Sequence, residues 1–193
     1  MKLPRRRLLQ HGGATGALWL GAAGRARGTE PRSELLADPK RIVSLPEGFE
    51  YRILTRGGDR MDDGYRMPDR PDAMGVFAGP DRRLTLMRNH EVPGVRRWGP
   101  YFPDQAPPPE AWDPEAYGGV TRTIVDSDTL RVEHSNLVLT GTHWNCAGGL
   151  SPWGWLSCEE MFSERHGFVF LCPHTAARVT RPRPIAAYGH FRH

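Results

Sequence analysis

The residues best suited to metal chemistry lie in one stretch, residues 145–160. Cys146 stands near its start, in a glycine-rich turn, and the adjacent carboxylates of Glu159 and Glu160 close it. A thiolate suits a transition metal, whereas carboxylates suit a hard cation such as Ca²⁺ or Fe³⁺. The residue types in this stretch therefore indicate a metal site.

The end of this stretch constrains how the two glutamates can act. Residues 153–156 are aromatic and compact, which favours a buried strand. Successive side chains of a strand point to opposite faces. Trp155 and Glu159 would then share one face, and Cys158 and Glu160 the other. Both glutamates can ligate one site only if the strand ends or bulges there.

A second candidate pair stands two residues apart, at Asn89 and Glu91. In an extended chain these two side chains face the same way, and His90 points elsewhere. A side-chain carbonyl and a carboxylate are natural Ca²⁺ ligands. The alternative is an ordinary polar strand end. Gly94 stands where a zinc-protease helix would carry its second histidine, which excludes that motif.

The three cysteines, Cys146, Cys158 and Cys172, are an odd number. In an exported protein at least one thiol is then left outside an intramolecular disulfide. A metal-bound Cys146 thiolate would account for it. Two alternatives remain open: a disulfide between Cys158 and Cys172, or buried thiols with Cys146 merely packed.

Short apolar runs separated by Gly, Pro and Asp turns predict an all-β chain. Besides the strand within 145–160, the predicted strands are residues 41–45, 49–54, 74–78, 83–88, 120–125, 130–133, 137–139, 167–171 and 185–188. Their even spacing favours a sandwich, a barrel or a propeller. Residues 92–117 form a long proline-rich loop, either a lid or binding loop or a disordered segment.

Basic residues concentrate at the amino terminus. The 193-residue chain has a net charge of +4 and a pI near 9.2, but residues 1–26 hold five basic residues and no acid. Without them the net charge falls from +4 to −1. No basic patch interleaved with aromatic residues remains, which argues against nucleic-acid binding.

The amino-terminal segment fits a twin-arginine leader. Arg5 and Arg6 are followed by an arginine, two leucines and a weakly apolar stretch, residues 12–24. That stretch is shorter than the roughly 20 apolar residues of a membrane span. We predict a twin-arginine signal peptide over 1–26, a flexible linker over 27–40, and no stable membrane insertion after cleavage. The alternative is a basic N-terminal tail.

Five ordered motifs carry a family resemblance: residues 45–51, 88–91, 118–121, 145–160 and 189–193. In this order they resemble the PhoX-type alkaline phosphatases, a family of secreted, metal-dependent phosphomonoesterases. The chain departs from the family pattern in two places. It has Asp72-Ala73-Met74 where the family has Asp-Gly-Met, and it lacks a threonine between Gly154 and Trp155. The second departure fits a subfamily with a shifted pocket or an altered substrate.

The resemblance implies an incomplete β-propeller, in which residues 41–193 form the N-terminal part of a phosphatase domain whose ligands converge on the propeller axis. It implies Ca²⁺ and Fe³⁺ as cofactors. Cys146 would bind iron, and at least one of Glu159 and Glu160 would bind calcium or iron. The metal ligands implied are Asn89, Glu91, Cys146, Glu159 and Glu160.

The function implied is hydrolysis of small phosphate monoesters by an exported phosphatase, periplasmic or secreted, that depends on the twin-arginine export machinery. Members of the family run well beyond this length, so the chain resembles a fragment that is expected to have little phosphatase activity and marginal folding alone. Two alternatives remain: a secreted propeller segment that binds metal or a partner without turnover, and a Ca²⁺-propeller hydrolase of another ester.

Overall fold

The structure is a computed structural model that describes residues 34–93 and 106–189. The predicted signal peptide over 1–26 and the start of the predicted linker lie outside the described residues. The chain divides into two compact units, Met1–Tyr51 and Arg52–His193.

The described part of the first unit contains one small antiparallel pair, β1 (Leu35–Leu36) with β2 (Leu45–Pro46). Asp38 organises the turn between them, because its carboxylate accepts hydrogen bonds from the backbone N–H groups of Ile42 and Lys40 and from the Tyr51 hydroxyl. These bonds lower the pKa of Asp38 to about 2. The turn is therefore held by a charged capping group.

The second unit contains two antiparallel sheets with strands in chain order. The first is a four-stranded meander of β3 (Pro71–Ala78), β4 (Arg83–His90), β5 (Gly118–Asp126) and β6 (Val132–Thr142). The second has β7 (Asn145–Ser151), β8 (Gly154–Glu159) and β9 (Val169–Cys172). Within the described residues the sheets do not close into a barrel or a complete propeller.

The main core joins the two sheets. Met87, Val120 and Leu139 from the meander pack with Trp155 and Phe170 from the second sheet. Fully burying side chains of this size stabilises the fold by about 1.5–3 kcal/mol each. The packing brings the end of β4 against the start of β7.

A second cluster covers the opposite face of the meander. It consists of Met61, Met67 and Leu137. Along β4, Met87 belongs to the main core, whereas the next side chain, Arg88, contacts Met67. Successive side chains of a strand point to opposite faces, so the meander is packed on both sides.

The prediction of an all-β chain is confirmed, since the structure contains no α-helix in the residues that it describes. The predicted hairpin over 74–88 and the strands at 120–125 and 167–171 are present with small shifts of their ends. The predicted strands at 130–133 and 137–139 form one strand, β6, which accommodates the polar residues between them with register shifts against β5.

Three predicted strands are wrong. Of residues 41–45, only Leu45 belongs to a strand, and residues 49–54 form none. Phe49 in that segment is 69% exposed, so its β-forming side chains have no buried face to pack. The predicted strand at 185–188 is a 3₁₀ turn, Ala186–Tyr188, which ends at Gly189 with φ 67°.

Candidate metal centre

The backbone around Cys146 is shaped by packing under Trp155. A register shift between Asn145 and Gly148 interrupts the ladder between β7 and β8. A Cβ at position 148 would collide with the Trp155 ring and the Leu156 carbonyl oxygen, so only glycine allows this approach. A bulge of this kind redirects side chains out of the ladder, and Cys146 and Ala147 are the two residues left unpaired within it.

Asn89 fixes that bulge from β4. Its amide Nδ2 donates to the carbonyl oxygens of Cys146 and Ala147, at 3.0 and 2.8 Å. Its Oδ1 accepts a hydrogen bond of 2.8 Å from the Trp155 indole Nε1. Asn89 is fully buried. The side chain is therefore engaged at both ends and holds the backbone of Cys146 in place.

Three potential metal ligands meet beside this backbone: Asp72 near the start of β3, Glu91 just after β4, and Cys146. One ligand atom from each lies within 4.8 Å of the others. The Asp72 side chain is exposed, and the other two are partly buried. Glu160 adds a third carboxylate and a fourth potential ligand, since its side chain is hydrogen-bonded to Cys146. We call these four residues the acidic–thiol cluster.

The cluster concentrates negative charge around a sulfur atom. Burial raises the pKa of the Cys146 thiol to about 11, and the nearby charges of Asp72, Glu160 and Glu91 add to the effect. A bound cation would offset this repulsion and favour the thiolate. A thiolate suits a transition metal. Ca²⁺ takes about 6–8 oxygen ligands, more than these carboxylates supply by themselves.

One cationic side chain stands at the edge of the cluster. Arg70 Nη2 lies 3.6 Å from a carboxylate oxygen of Glu91, and its guanidinium carbon lies 5.6 Å from the centre of the Trp144 ring. The Arg70 side chain is 35% exposed. A guanidinium in this position can reach solvent and is oriented by the ring beneath it.

Glu159 lies at the end of β8 and points away from the cluster. Its Oε1 accepts hydrogen bonds of 2.8 Å from the His143 backbone N–H and from His166 Nδ1. Its Oε2 accepts bonds from the backbone N–H groups of Gly167 and Phe168, at 2.7 and 3.1 Å. The side chain is completely buried. Four protein donors thus occupy this carboxylate, and it holds the loop before β9 against the segment that leads to Cys146.

His166 extends this network to Asp113. Its Nε2 lies 3.4 Å from the Asp113 carboxylate, which also pairs with Arg165 at 2.9 Å. Burial disfavours the charged form of His166, but hydrogen bonds and attraction to Glu159 and Asp113 prevail and raise its pKa. Burial and the His166 charge lower the pKa of the neighbouring His143. His166 therefore takes up a proton more readily than an ordinary histidine, and His143 less readily.

Of the residues that the sequence predicted as metal ligands, the structure brings together Glu91, Cys146 and Glu160. Asn89 and Glu159 lie next to them, and their polar atoms bind protein groups. Asp72 was not among the predicted ligands. The signal for it was the Asp-Ala-Met segment, already noted as a variant of a family motif.

Two other expectations concern neighbouring residues. His90 points away from the cluster, as predicted: its ring nitrogens bond the Asp69 carbonyl oxygen and the Thr121 hydroxyl. None of the three cysteines forms a disulfide, so the alternative of a bridge between Cys158 and Cys172 is not realised.

Comparison with known proteins gives one match. The family model described as alkaline phosphatase PhoX matches residues 31–136, more than half of the chain. No curated protein and no solved structure matches. The matched segment includes Asp72 and Glu91, whereas Cys146 lies beyond it. Among the described residues, no helix has the length and apolarity to cross a membrane. The ordered motifs and this match agree: the chain belongs to the PhoX alkaline phosphatase family.

Proposed function

We propose that this protein is an exported, metal-dependent phosphatase that hydrolyses small phosphate monoesters and holds its cations on the acidic–thiol cluster. Family membership supports the reaction class. The observation that carries the proposal is the convergence of Asp72, Glu91 and Cys146 within 4.8 Å.

The chemistry of the ligand atoms suggests which residues bind which cation. Thiolates select transition metals, and the family resemblance implies iron, so we assign iron to Cys146. The carboxylates of Asp72, Glu91 and Glu160 are hard ligands for Fe³⁺ or Ca²⁺. A bound cation would supply neutralisation of phosphoryl oxygens and activation of an oxygen nucleophile.

Asn89 and Glu159, which the sequence indicated as ligands, act in this proposal by positioning. Asn89 donates to the Cys146 carbonyl oxygen, and Glu159 accepts from the His143 N–H. Both contacts brace the segment that carries Cys146. Ligand atoms must be held closely for a site to bind its cation well, and buried hydrogen bonds achieve that.

Arg70 is the residue we assign to the substrate phosphate. Its planar fork of donors matches two phosphate oxygens, and it stands 3.6 Å from Glu91 at the edge of the cluster. The Arg70 side chain is 35% exposed, so an incoming anion can reach the guanidinium. Trp144 keeps it oriented.

The remaining proposals concern architecture and location. The four-stranded antiparallel meander has the form of a propeller blade, which supports a propeller as the complete fold. The arginine pair and weakly apolar stretch of residues 1–26 support twin-arginine export to the periplasm or the medium.

The test of function is a comparison of ester classes. The full chain, loaded with Ca²⁺ and iron, is assayed with p-nitrophenyl phosphate, a carboxylic ester and a lactone, before and after EDTA. We expect weak hydrolysis that is confined to the phosphate ester, is lost on chelation and is restored by metal. Hydrolysis of the carboxylic ester or lactone in preference, or phosphate ester hydrolysis that persists after EDTA, would reject the proposal.

A further inference from the structure

Arg88 is a partly buried cation on the face of the meander opposite to Asn89. Its Nη2 donates to the Thr55 hydroxyl at 2.8 Å and to the Met67 sulfur at 3.3 Å. Its Nε is buried and has no hydrogen-bond partner. Within the described residues no carboxylate pairs with this guanidinium.

An unpaired guanidinium in such a position is costly. Burial alone lowers the pKa of Arg88, with no acidic group acting in the other direction. Buried charges in proteins are normally paired or fully hydrogen-bonded, because removing them from water is unfavourable. The environment of Arg88 is therefore incomplete, and an anion is the group that would complete it.

A cavity lies beside this side chain. It has a volume of about 240 Å³ and is lined by Arg52, Ile53, Leu54, Thr55, Met74, Leu86, Arg88 and Thr123. Four of its eight lining side chains are apolar, those of Ile53, Leu54, Met74 and Leu86. Arg52 is exposed, and its guanidinium donates to the Thr129 carbonyl oxygen. The cavity thus offers apolar walls, one uncompensated cation and a second cation among its lining residues.

We propose that this cavity binds a small organic carboxylate, with the carboxylate on Arg88 and the apolar body against Leu54 and Leu86. A planar guanidinium pairs well with a carboxylate. Of the two cations only Arg88 is largely buried, so one negative charge compensates it, while the exposed Arg52 stays solvated. A phosphate dianion would bring a second charge towards the apolar side chains. The site is separate from the acidic–thiol cluster, because Arg88 and Asn89 point to opposite faces of the sheet.

The test is a binding titration of the full chain. Benzoate, benzyl alcohol and inorganic phosphate are added separately, and affinity is measured from saturable NMR shift changes. We expect saturable benzoate binding, with benzyl alcohol and phosphate at least about tenfold weaker, a difference of ~1.4 kcal/mol. Benzoate binding that does not saturate, or that benzyl alcohol or phosphate equals, would overturn the proposal.

Variants locate the site. Arg88→Met keeps the length of the side chain and removes the charge, so benzoate affinity should fall at least about tenfold. Arg131→Met is the matched control, because Arg131 is 73% exposed and pairs with Glu133 away from the cavity. Met74→Trp fills the cavity while leaving Arg88 in place, and it should block benzoate even if Arg88→Met folds poorly. Unchanged benzoate affinity in Met74→Trp would reject the site.

Discussion

Asn89 and Glu91 stand two residues apart and do different work. Glu91 contributes an oxygen to the acidic–thiol cluster, whereas Asn89 donates to the carbonyl oxygens of Cys146 and Ala147. Spacing alone put both on one side of the chain and suggested that both were ligands. What separates them is the partner each meets: Asn89 meets backbone carbonyl oxygens more than fifty residues away in the sequence, whereas Glu91 lies beside the ligand atoms of Asp72 and Cys146.

Asn89→Asp distinguishes a ligand from a positioning residue. A carboxylate at this position would strengthen a metal site if residue 89 were a ligand. In this structure the change instead removes the donor to two carbonyl oxygens, so we expect a loss of about 2–4 kcal/mol in unfolding free energy and no gain in cation affinity. Chemical denaturation and metal titration measure the two effects, and tighter metal binding would contradict the positioning role.

Arg70→Gln tests the residue assigned to phosphate. The variant keeps much of the side-chain volume but loses the charge, so KM for p-nitrophenyl phosphate should rise by about tenfold or more, with metal content unchanged. Arg66→Gln is the control, since Arg66 donates to the Gly58 carbonyl oxygen. A KM for Arg70→Gln equal to that of the control would remove Arg70 from substrate binding.

At the scale of elements, the loop before β9 is tied to β8 by a buried polar network. Glu159 and Asp113 hold His166 between them, and the His143 ring stands edge-on to His166 at 4.4 Å. The pKa of His166 is raised from 6.5 and that of His143 is lowered. The two rings should therefore titrate in a fixed order.

NMR titration of the two histidines checks that order, with His166 titrating above 6.5 and His143 below it. Because the folded pKa of His166 is raised, its contribution to stability is complete below the unfolded value and is lost as pH rises through the folded value. In Glu159→Gln the pKa of His166 should fall. A His143 that titrates above His166 would contradict the network.

Elements with local signals were predictable from the sequence. The turn at residues 79–82 between two apolar runs gave the β3–β4 hairpin, and alternation along β8 gave the divergence of Glu159 and Glu160. Asp72 joins the cluster because the β3–β4 hairpin packs against β7, which carries Cys146. That packing joins residues far apart in the sequence, so no local signal predicts it. Residues 49–54 have strand-like composition but form no strand. Amino-acid composition does not reveal which segments hydrogen-bond to the edge of a sheet.

At the scale of the whole molecule, the proposed export depends on the amino-terminal segment. Its five basic residues and weakly apolar stretch precede the described residues. Twin-arginine export carries folded proteins, which suits an enzyme loaded with metal before export. The proposed export route is therefore consistent with the proposed metal cofactors, because both require the protein to fold around its metal before export.

Replacing both Arg5 and Arg6 by Lys should trap a reporter fusion in the cytoplasm, because twin-arginine recognition needs the arginine pair. Cell fractionation with a reporter assay measures this. The matched control is Arg25→Lys, which changes a basic residue outside the pair and should leave export intact. Continued export of the double variant through the general secretory channel would refute the twin-arginine route.

The acidic–thiol cluster is the centre of this account, and metal content per chain tests it most directly. Cys146→Ser is compared with Cys158→Ser, since Cys158 is a second partly buried thiol that is not among the cluster residues. After loading with iron and Ca²⁺ and removal of excess metal, elemental analysis should find iron in the native chain and in Cys158→Ser, and a loss of iron in Cys146→Ser. Equal iron in both variants would contradict the assignment of Cys146 to the metal centre.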